Sequence, residues 1–387
     1  MKTGRKRHRC ITLARQLLSA LVCTVLALSG CDCSRTRLPD ISALEREDWL
    51  IAGLSHSKRE KGKPVDDWVA TVTFPGKEVT KLLPDTTPAP DGWEPIRLHG
   101  VAYNQRLQIV ICMAYRSYSS EQYRLSGGEE FCDVWLHDLS ASKSRWIGRK
   151  RWKGISGFAW SDDGQKLAFM ATEIPTRSEP RRAGLYVYDL AKGSLTLMAD
   201  DGMVGYDAWR TRGPVWSEDG KYLYYASIGR DAMRINVSTL QKERLPAPME
   251  AFAILTVKGN EIIYVKQVVA TYSLGGEIRI LKWRFGDDPM TVEPTILYDG
   301  IWLWETLVSP SRRFLLFFDK RSYLNGRWVL IDTTTCEKFT SIRSHIPRHF
   351  SLMSTCVCAP EHTSLNPVGP GEQQHALRLV RPEPPRP

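Results

Sequence analysis

Nine cysteines and eight histidines are the side chains of this 387-residue sequence best suited to nucleophilic attack, metal ligation or covalent attachment. Zinc sites take cysteine or histidine pairs separated by a short spacer, with a second pair elsewhere. Cys356-Val357-Cys358 has a single intervening residue and no matching pair. His345 and His349 are spaced to share a helical face, but Pro347 between them breaks such a helix. His56, His99, His137, His362 and His375 are scattered. Asp162-Asp163 and Glu218-Asp219 pair carboxylates, yet both pairs precede a glycine in a turn-forming run, and neither opens the alternating oxygen-ligand series of a calcium loop. The nucleophile elbow Gly-x-Ser-x-Gly does not occur. The motifs therefore assign no catalytic residue, no cofactor and no metal ligand.

Cys31 is different, because its surroundings specify chemistry. Lys2, Arg5, Lys6, Arg7, Arg9 and Arg15 precede an apolar run over 17–28, and Leu28-Ser29-Gly30-Cys31 closes it. A basic region, a short apolar stretch and small residues before a cut are the parts of an export signal. The run is too short for a membrane span, which needs about 20 residues. Leu-Ser-Gly-Cys resembles the lipobox of bacterial lipoproteins. The resemblance implies removal of residues 1–30 as a signal peptide and acylation of Cys31, with 31–47 as a tether. It also implies a place in the bacterial cell envelope, on the periplasmic face of the inner membrane or at the outer membrane. Several acyl chains on one residue anchor firmly where one alone is marginal. The 53 lysines and arginines include the six before Cys31, which leaves 47 against 43 acidic residues. That near-balance gives no basic stripe for nucleic acid.

The rest of the chain is organised by repetition. Gly157-Phe158-Ala159-Trp160-Ser161-Asp162-Asp163-Gly164 is echoed by Gly213-Pro214-Val215-Trp216-Ser217-Glu218-Asp219-Gly220, and an alternating β-type run follows each. Asp163-Gly164 and Asp219-Gly220 supply the left-handed backbone of a tight hairpin turn. Weaker copies lie at 101–113, 253–265 and 307–318, where Ser309-Pro310-Ser311-Arg312 replaces the aspartate-glycine turn. Third strands are expected at 133–139, 185–190 and 328–332, and fourth strands at 194–198, 242–245 and 338–342. Four antiparallel strands per unit, in tandem, describe an all-β propeller. Six blades over 48–358 are expected, counting 49–83 as the first, with seven as the alternative. The strand at 350–358 would close the ring. The proline-rich 359–387 reads as a tail without a core.

The segments 160–169 and 216–225 resemble the WD40-like repeat of TolB-type propellers, whose signature runs Trp-Ser-Pro-Asp-Gly-Lys into a strand. Here Asp162 and Glu218 stand where proline is usual. TolB has a further α/β domain before its propeller and no lipid anchor, so the resemblance implies the fold and not a role in the Tol system.

Export implies an oxidising compartment, so bridges are expected. Cys112 and Cys132 fall on neighbouring strands of one unit and are expected to form a disulfide, with Cys336 pairing Cys356 or Cys358. The segment 115–128, rich in Tyr and Ser, interrupts a hairpin and is the candidate recognition loop. The basic segment 177–182 is a solvated loop that an acidic partner or lipid headgroups would touch. Ile301-Trp302-Leu303-Trp304 reads as an inner strand. Together these features predict a monomeric, membrane-tethered, non-catalytic scaffold that binds an envelope protein or glycan. The alternative is a hydrolase or lyase acting on a polysaccharide through residues gathered at the mouth of the channel.

Overall fold

The computed structural model describes residues 41–351 apart from 48, 56–67, 77, 96–97, 99, 117–130, 149–151, 174–182, 202–212, 228–230, 246–250, 269–276, 289–290, 302, 321–325 and 341–349. Among the described residues a short helix, α1 (Ile41–Glu45), precedes 24 strands. The first blade holds β1 (Trp49–Ser55), β2 (Trp68–Phe74) and β3 (Val79–Pro84); the second β4 (Gly100–Asn104), β5 (Ile109–Arg116), β6 (Phe131–Asp138) and β7 (Lys143–Trp146). The third holds β8 (Trp152–Trp160), β9 (Lys166–Glu173), β10 (Ala183–Asp189) and β11 (Ser194–Ala199); the fourth β12 (Val215–Trp216), β13 (Tyr222–Ala226), β14 (Ala232–Asn236) and β15 (Lys242–Arg244). The fifth holds β16 (Ala253–Lys258), β17 (Glu261–Gln267), β18 (Glu277–Arg284) and β19 (Thr295–Ile301); the sixth β20 (Leu303–Val308), β21 (Phe314–Lys320), β22 (Gly326–Asp332) and β23 (Lys338–Phe339).

Every blade is a four-stranded antiparallel meander, and β24 (Phe350–Ser351) completes the first by pairing with β1. Six blades are present, as the repeat predicted. The closing strand also stands where it was expected, with Leu54 opposite Ser351 and Ser55 opposite Phe350. Consecutive first strands lie against one another, β4 on β8, β8 on β12, β12 on β16 and β16 on β20, and so line the axis.

Strand alternation explains the ring. On β5, Val110, Cys112 and Ala114 turn toward the first blade, while Ile109, Ile111 and Met113 turn toward the third. On β21, Phe314 and Leu316 face the first blade, and Leu315 and Phe317 the fifth. Successive side chains point to opposite faces of a strand, so each blade offers two apolar faces and each core cluster is a junction between blades.

Two expectations are corrected. Cys112 and Cys132 do lie on adjacent antiparallel strands, but Cys112 is opposite Trp135 and Cys132 is opposite Tyr115. Three rungs separate them, about 10 Å along the strands, beyond the ~7 Å Cα limit of a disulfide. The odd offset also puts them on opposite faces, Cys112 against the first blade and Cys132 against the third. Both are buried free thiols. Cys336 is an exposed free thiol in the turn after β22, while Cys356 and Cys358 lie outside the described residues.

Secondly, Leu303 and Trp304 do open the innermost strand of the sixth blade, but Ile301 ends the outermost strand of the fifth, so the expected inner strand does not extend back to Ile301. The innermost strand of the third blade, β8, starts at Trp152, which pairs with Cys132 of the second blade, ahead of the repeated segment that opens at Gly157. Gly157 has φ +55° at a register shift within β8, a bulge that bends the strand without ending it.

The end of the expected tether is also folded. Ala43 and Leu44 of α1 are buried in the cluster that joins the sixth, first and second blades.

Candidate recognition face

The two ends of the ring are built differently. At one end lie the turns between first and second strands, at 105–108, 161–165, 217–221, 259–260 and 309–313. These turns form by local chemistry. The Ser161 hydroxyl donates to Asp163 Oδ1 at 2.5 Å and accepts from the Lys166 N–H at 2.9 Å, and Asp163 Oδ1 accepts from the Gln165 N–H at 3.0 Å. Ser217, Asp219, Lys221 and Tyr222 repeat this pattern at 2.7, 3.1 and 2.9 Å. Burial would raise the Asp163 carboxyl, but the Ser161 hydroxyl, the Gln165 N–H and the charges of Lys166 and Arg106 hold it below the ordinary carboxylate value. Asp219 is held low chiefly by the Ser217 hydroxyl and the Lys221 N–H. The paired carboxylates at 162–163 and 218–219 are accounted for by these turns and by contacts between blades.

Those contacts lock the turns into a ring. Asn104 Nδ2 donates to the Gly164 carbonyl at 2.8 Å, linking the second and third blades. Trp216 Nε1 donates to the Ala159 carbonyl at 3.0 Å, linking the fourth to the third. Glu218 accepts from the Gly259 N–H at 3.3 Å, and Lys258 Nζ donates to the Ser311 carbonyl at 3.1 Å. The Ser311 N–H and hydroxyl donate to the Glu47 carboxylate at 3.1 and 2.5 Å, tying the sixth blade to the segment that enters the first.

One residue crosses the axis. Arg312 occupies the position of Gly164 and Gly220 in its turn, with φ +61° against +69° and +65°. A left-handed non-glycine residue costs about 1–2 kcal/mol. Its guanidinium donates to the Val257 carbonyl at 2.6 Å and to Asp162 Oδ1 at 3.3 Å. Asp162 belongs to the third blade, which stands opposite the sixth, so this ion pair bars the axis at the tight-turn end. Sequence reasoning missed the pair. Its trace is an arginine standing where the better repeats have glycine.

The other end carries the connections 56–67, 117–130, 174–182, 200–214, 268–276 and 340–349. The tight end has one connection of comparable length, 285–294. A further connection at the open end, 85–99, folds down between blades, burying Ala89 and Leu98 and setting Trp93 edge-on to Trp135 with centroids 6.4 Å apart. Polar pairs stiffen the strand ends here. Tyr186 donates to Glu173 at 2.7 Å, Arg327 Nε to Asp319 at 3.2 Å, and Tyr225 to Asp201 at 2.8 Å. Burial, reinforced by Asp201, raises the Tyr225 phenol and keeps it protonated. The recognition segment 115–128, beyond Tyr115 and Arg116 of β5, and the basic segment 177–182 lie outside the described residues. The strands that bound them, β5 with β6 and β9 with β10, open at this end.

Of the residues singled out in the sequence, Trp160 and Trp216 are buried between blades, and Asp163, Gly164, Asp219 and Gly220 form the tight turns. Cys31 lies outside the described residues. Among the described residues, no group of three or more His, Cys, Asp or Glu is placed to hold a metal, and no helix is long and apolar enough to cross a membrane. His137 is half-buried, with Nδ1 3.0 Å from the Ser144 hydroxyl; burial lowers its pKa against the pull of Asp138. The described part of this end offers rigid strand ends that frame loops.

No family model matches the chain. A curated relative, dipeptidyl-peptidase 5 of Porphyromonas gingivalis, is 35% identical over 98 residues, which is 24% of this chain and 13% of that protein. Among solved structures, TolB from Acinetobacter baumannii is 16% identical, with 76% of this chain and 63% of that one covered and a TM-score of 0.48. Oligogalacturonate lyase from Vibrio parahaemolyticus is 10% identical, with 65% and 68% covered and a TM-score of 0.40. The propeller assignment rests on the strand pairing itself.

Proposed function

We propose that this chain is a lipid-anchored propeller of the bacterial cell envelope that binds a protein or glycan partner, without catalysis of its own, through the end that carries the long connections. The observation that carries the reading is the asymmetry of the ring. One end is drawn together by inter-blade hydrogen bonds and barred by Arg312 and Asp162, while the other collects most of the long connections on a rigid frame. Loops held by a rigid scaffold are the usual carriers of binding, and a preformed frame lowers the ordering cost of association. The membrane attachment rests on the Leu-Ser-Gly-Cys motif at Cys31. The partial likeness to a dipeptidyl-peptidase supports a peptide or protein partner ahead of a glycan.

The test is affinity recovery from detergent-solubilised envelopes with the tagged, lipidated chain, beside a variant in which 117–128 is replaced by a short turn. The expected result is a partner that binds the purified chain directly and is lost with the variant at unchanged thermal stability. Robust cleavage of a polysaccharide or peptide by the purified protein would replace this reading with the hydrolase or lyase alternative.

A further inference from the structure

The end of the ring at which the chain enters is determined by described residues. β1 is the second strand of its blade, the position in which β5, β9, β13 and β21 each begin directly after a tight turn. Trp49 therefore lies level with those turns. Two residues earlier, Glu47 is bound by the backbone and hydroxyl of Ser311 in the tight turn of the sixth blade. α1, just before it, is seated by Ala43 and Leu44, which are 6% and 3% exposed. The chain is thus held at the tight-turn end from α1 onward.

From Cys31 to Ile41 is ten residues, a reach of at most about 35 Å if fully extended. An eight-residue strand such as β18 is itself about 25 Å long. A tether running back up the height of a blade would use most of its reach on that path alone. Straightening it would cost chain entropy at every residue fixed, with no described contact to repay it. With the tight-turn end toward the lipid, the same tether stays slack.

We infer, on the proposed reading of Cys31 as the lipidated residue, that the domain stands on the membrane on its tight-turn end and presents the long connections away from the lipid. The partner is then met from the aqueous compartment or on an opposing surface. The strands that bound the basic segment 177–182, β9 and β10, open at that outward end.

The lipidated chain in phosphatidylethanolamine and phosphatidylglycerol vesicles tests this, with a fluorescent amino acid at Lys221 (tight-turn end) or Glu277 (opposite end). Both positions are exposed. Energy transfer to a headgroup-linked acceptor is expected to be at least twofold greater from Lys221. Equal transfer, or greater transfer from Glu277, from protein that co-floats with the vesicles would overturn the orientation and leave the anchor standing. Protein that neither co-floats nor carries acyl mass on Cys31 would overturn the anchor, and the orientation with it.

Discussion

Arg312 of the sixth blade and Asp162 of the third, 150 positions apart in the chain, meet at 3.3 Å across the axis of the propeller. Their side chains are 13% and 29% exposed, so the pair is partly shielded from solvent. It turns one end of the axis into a cross-brace, and the brace requires a left-handed arginine.

Arg312→Ala should lose both guanidinium contacts and retain the backbone strain, lowering stability by about 2 kcal/mol. Arg312→Gly should recover about 1 kcal/mol of that loss, because glycine adopts the same φ freely. A double-mutant cycle with Asp162→Ala, read by urea denaturation, should give a coupling near 1 kcal/mol. Additive single and double mutants would show that the two residues do not brace the ring.

The two repeat glycines should not tolerate alanine equally. At Gly220 only the positive φ opposes a side chain, with no atom within 4 Å of a built Cβ. At Gly164 the Cβ would also stand 2.8 Å from Asn104 Nδ2, the atom that bonds the Gly164 carbonyl. Gly164→Ala should therefore be worse by about 1 kcal/mol, the worth of that hydrogen bond, in paired thermal melts. Equal penalties would mean that Asn104 moves aside without cost.

The repeat tryptophans should also separate. Trp216 Nε1 bonds the Ala159 carbonyl, whereas Trp160 Nε1 is buried without a hydrogen-bond partner among the described residues. Trp216→Phe removes a hydrogen bond between the third and fourth blades and should cost about 1 kcal/mol beyond the loss of ring contact. Trp160→Phe removes an unpaired donor and should cost less. Chemical denaturation of the two variants compares them directly.

Acid should unfold the domain through its turn carboxylates. Asp163 and Asp219 are held below their ordinary value, as is Asp332, where burial is outweighed by Arg313, which approaches at 2.6 Å, and by the Thr334 and Thr335 N–H groups. A lowered folded-state value means that the unfolded chain binds protons first. The stabilisation is then complete above the unfolded value, near 4, and is lost as pH falls through the lower folded values. Replacing the three by Asn should flatten stability against pH below 5. An unchanged slope would assign acid unfolding to other groups.

Cys112 and Cys132 should remain thiols in the folded protein even under oxidising conditions. Burial raises both well above the ordinary thiol value, and Asp133 adds to the effect at Cys132, so neither should be alkylated in the native state. Cys336, exposed, should label rapidly. Mass mapping with and without denaturant checks this; a 112–132 cross-link would require a register shift of β5 against β6.

Much of the scaffold was legible along the chain, because a hairpin turn and the alternation of a strand are local. Asp163-Gly164 and Asp219-Gly220 announce their turns by the backbone they allow, and the spacing between copies announces a ring of blades. The closing strand was the segment left at 350–358 once six units had been counted. What failed was register: being on neighbouring strands did not say that Cys112 would face Trp135, since one rung more or less reverses the face a side chain takes.

The sequence by itself determined the repeating unit and the turn chemistry, since each depends on residues a few positions apart, and its repeat spacing favoured six blades over seven. The tertiary structure alone decided which residues meet between blades and across the axis. Arg312 finds Asp162 only because a six-membered ring sets the third and sixth blades opposite each other. Glu47 finds Ser311 only because ring closure brings the first blade beside the last. Contacts of that kind depend on closure of the whole chain, and no local pattern encodes them.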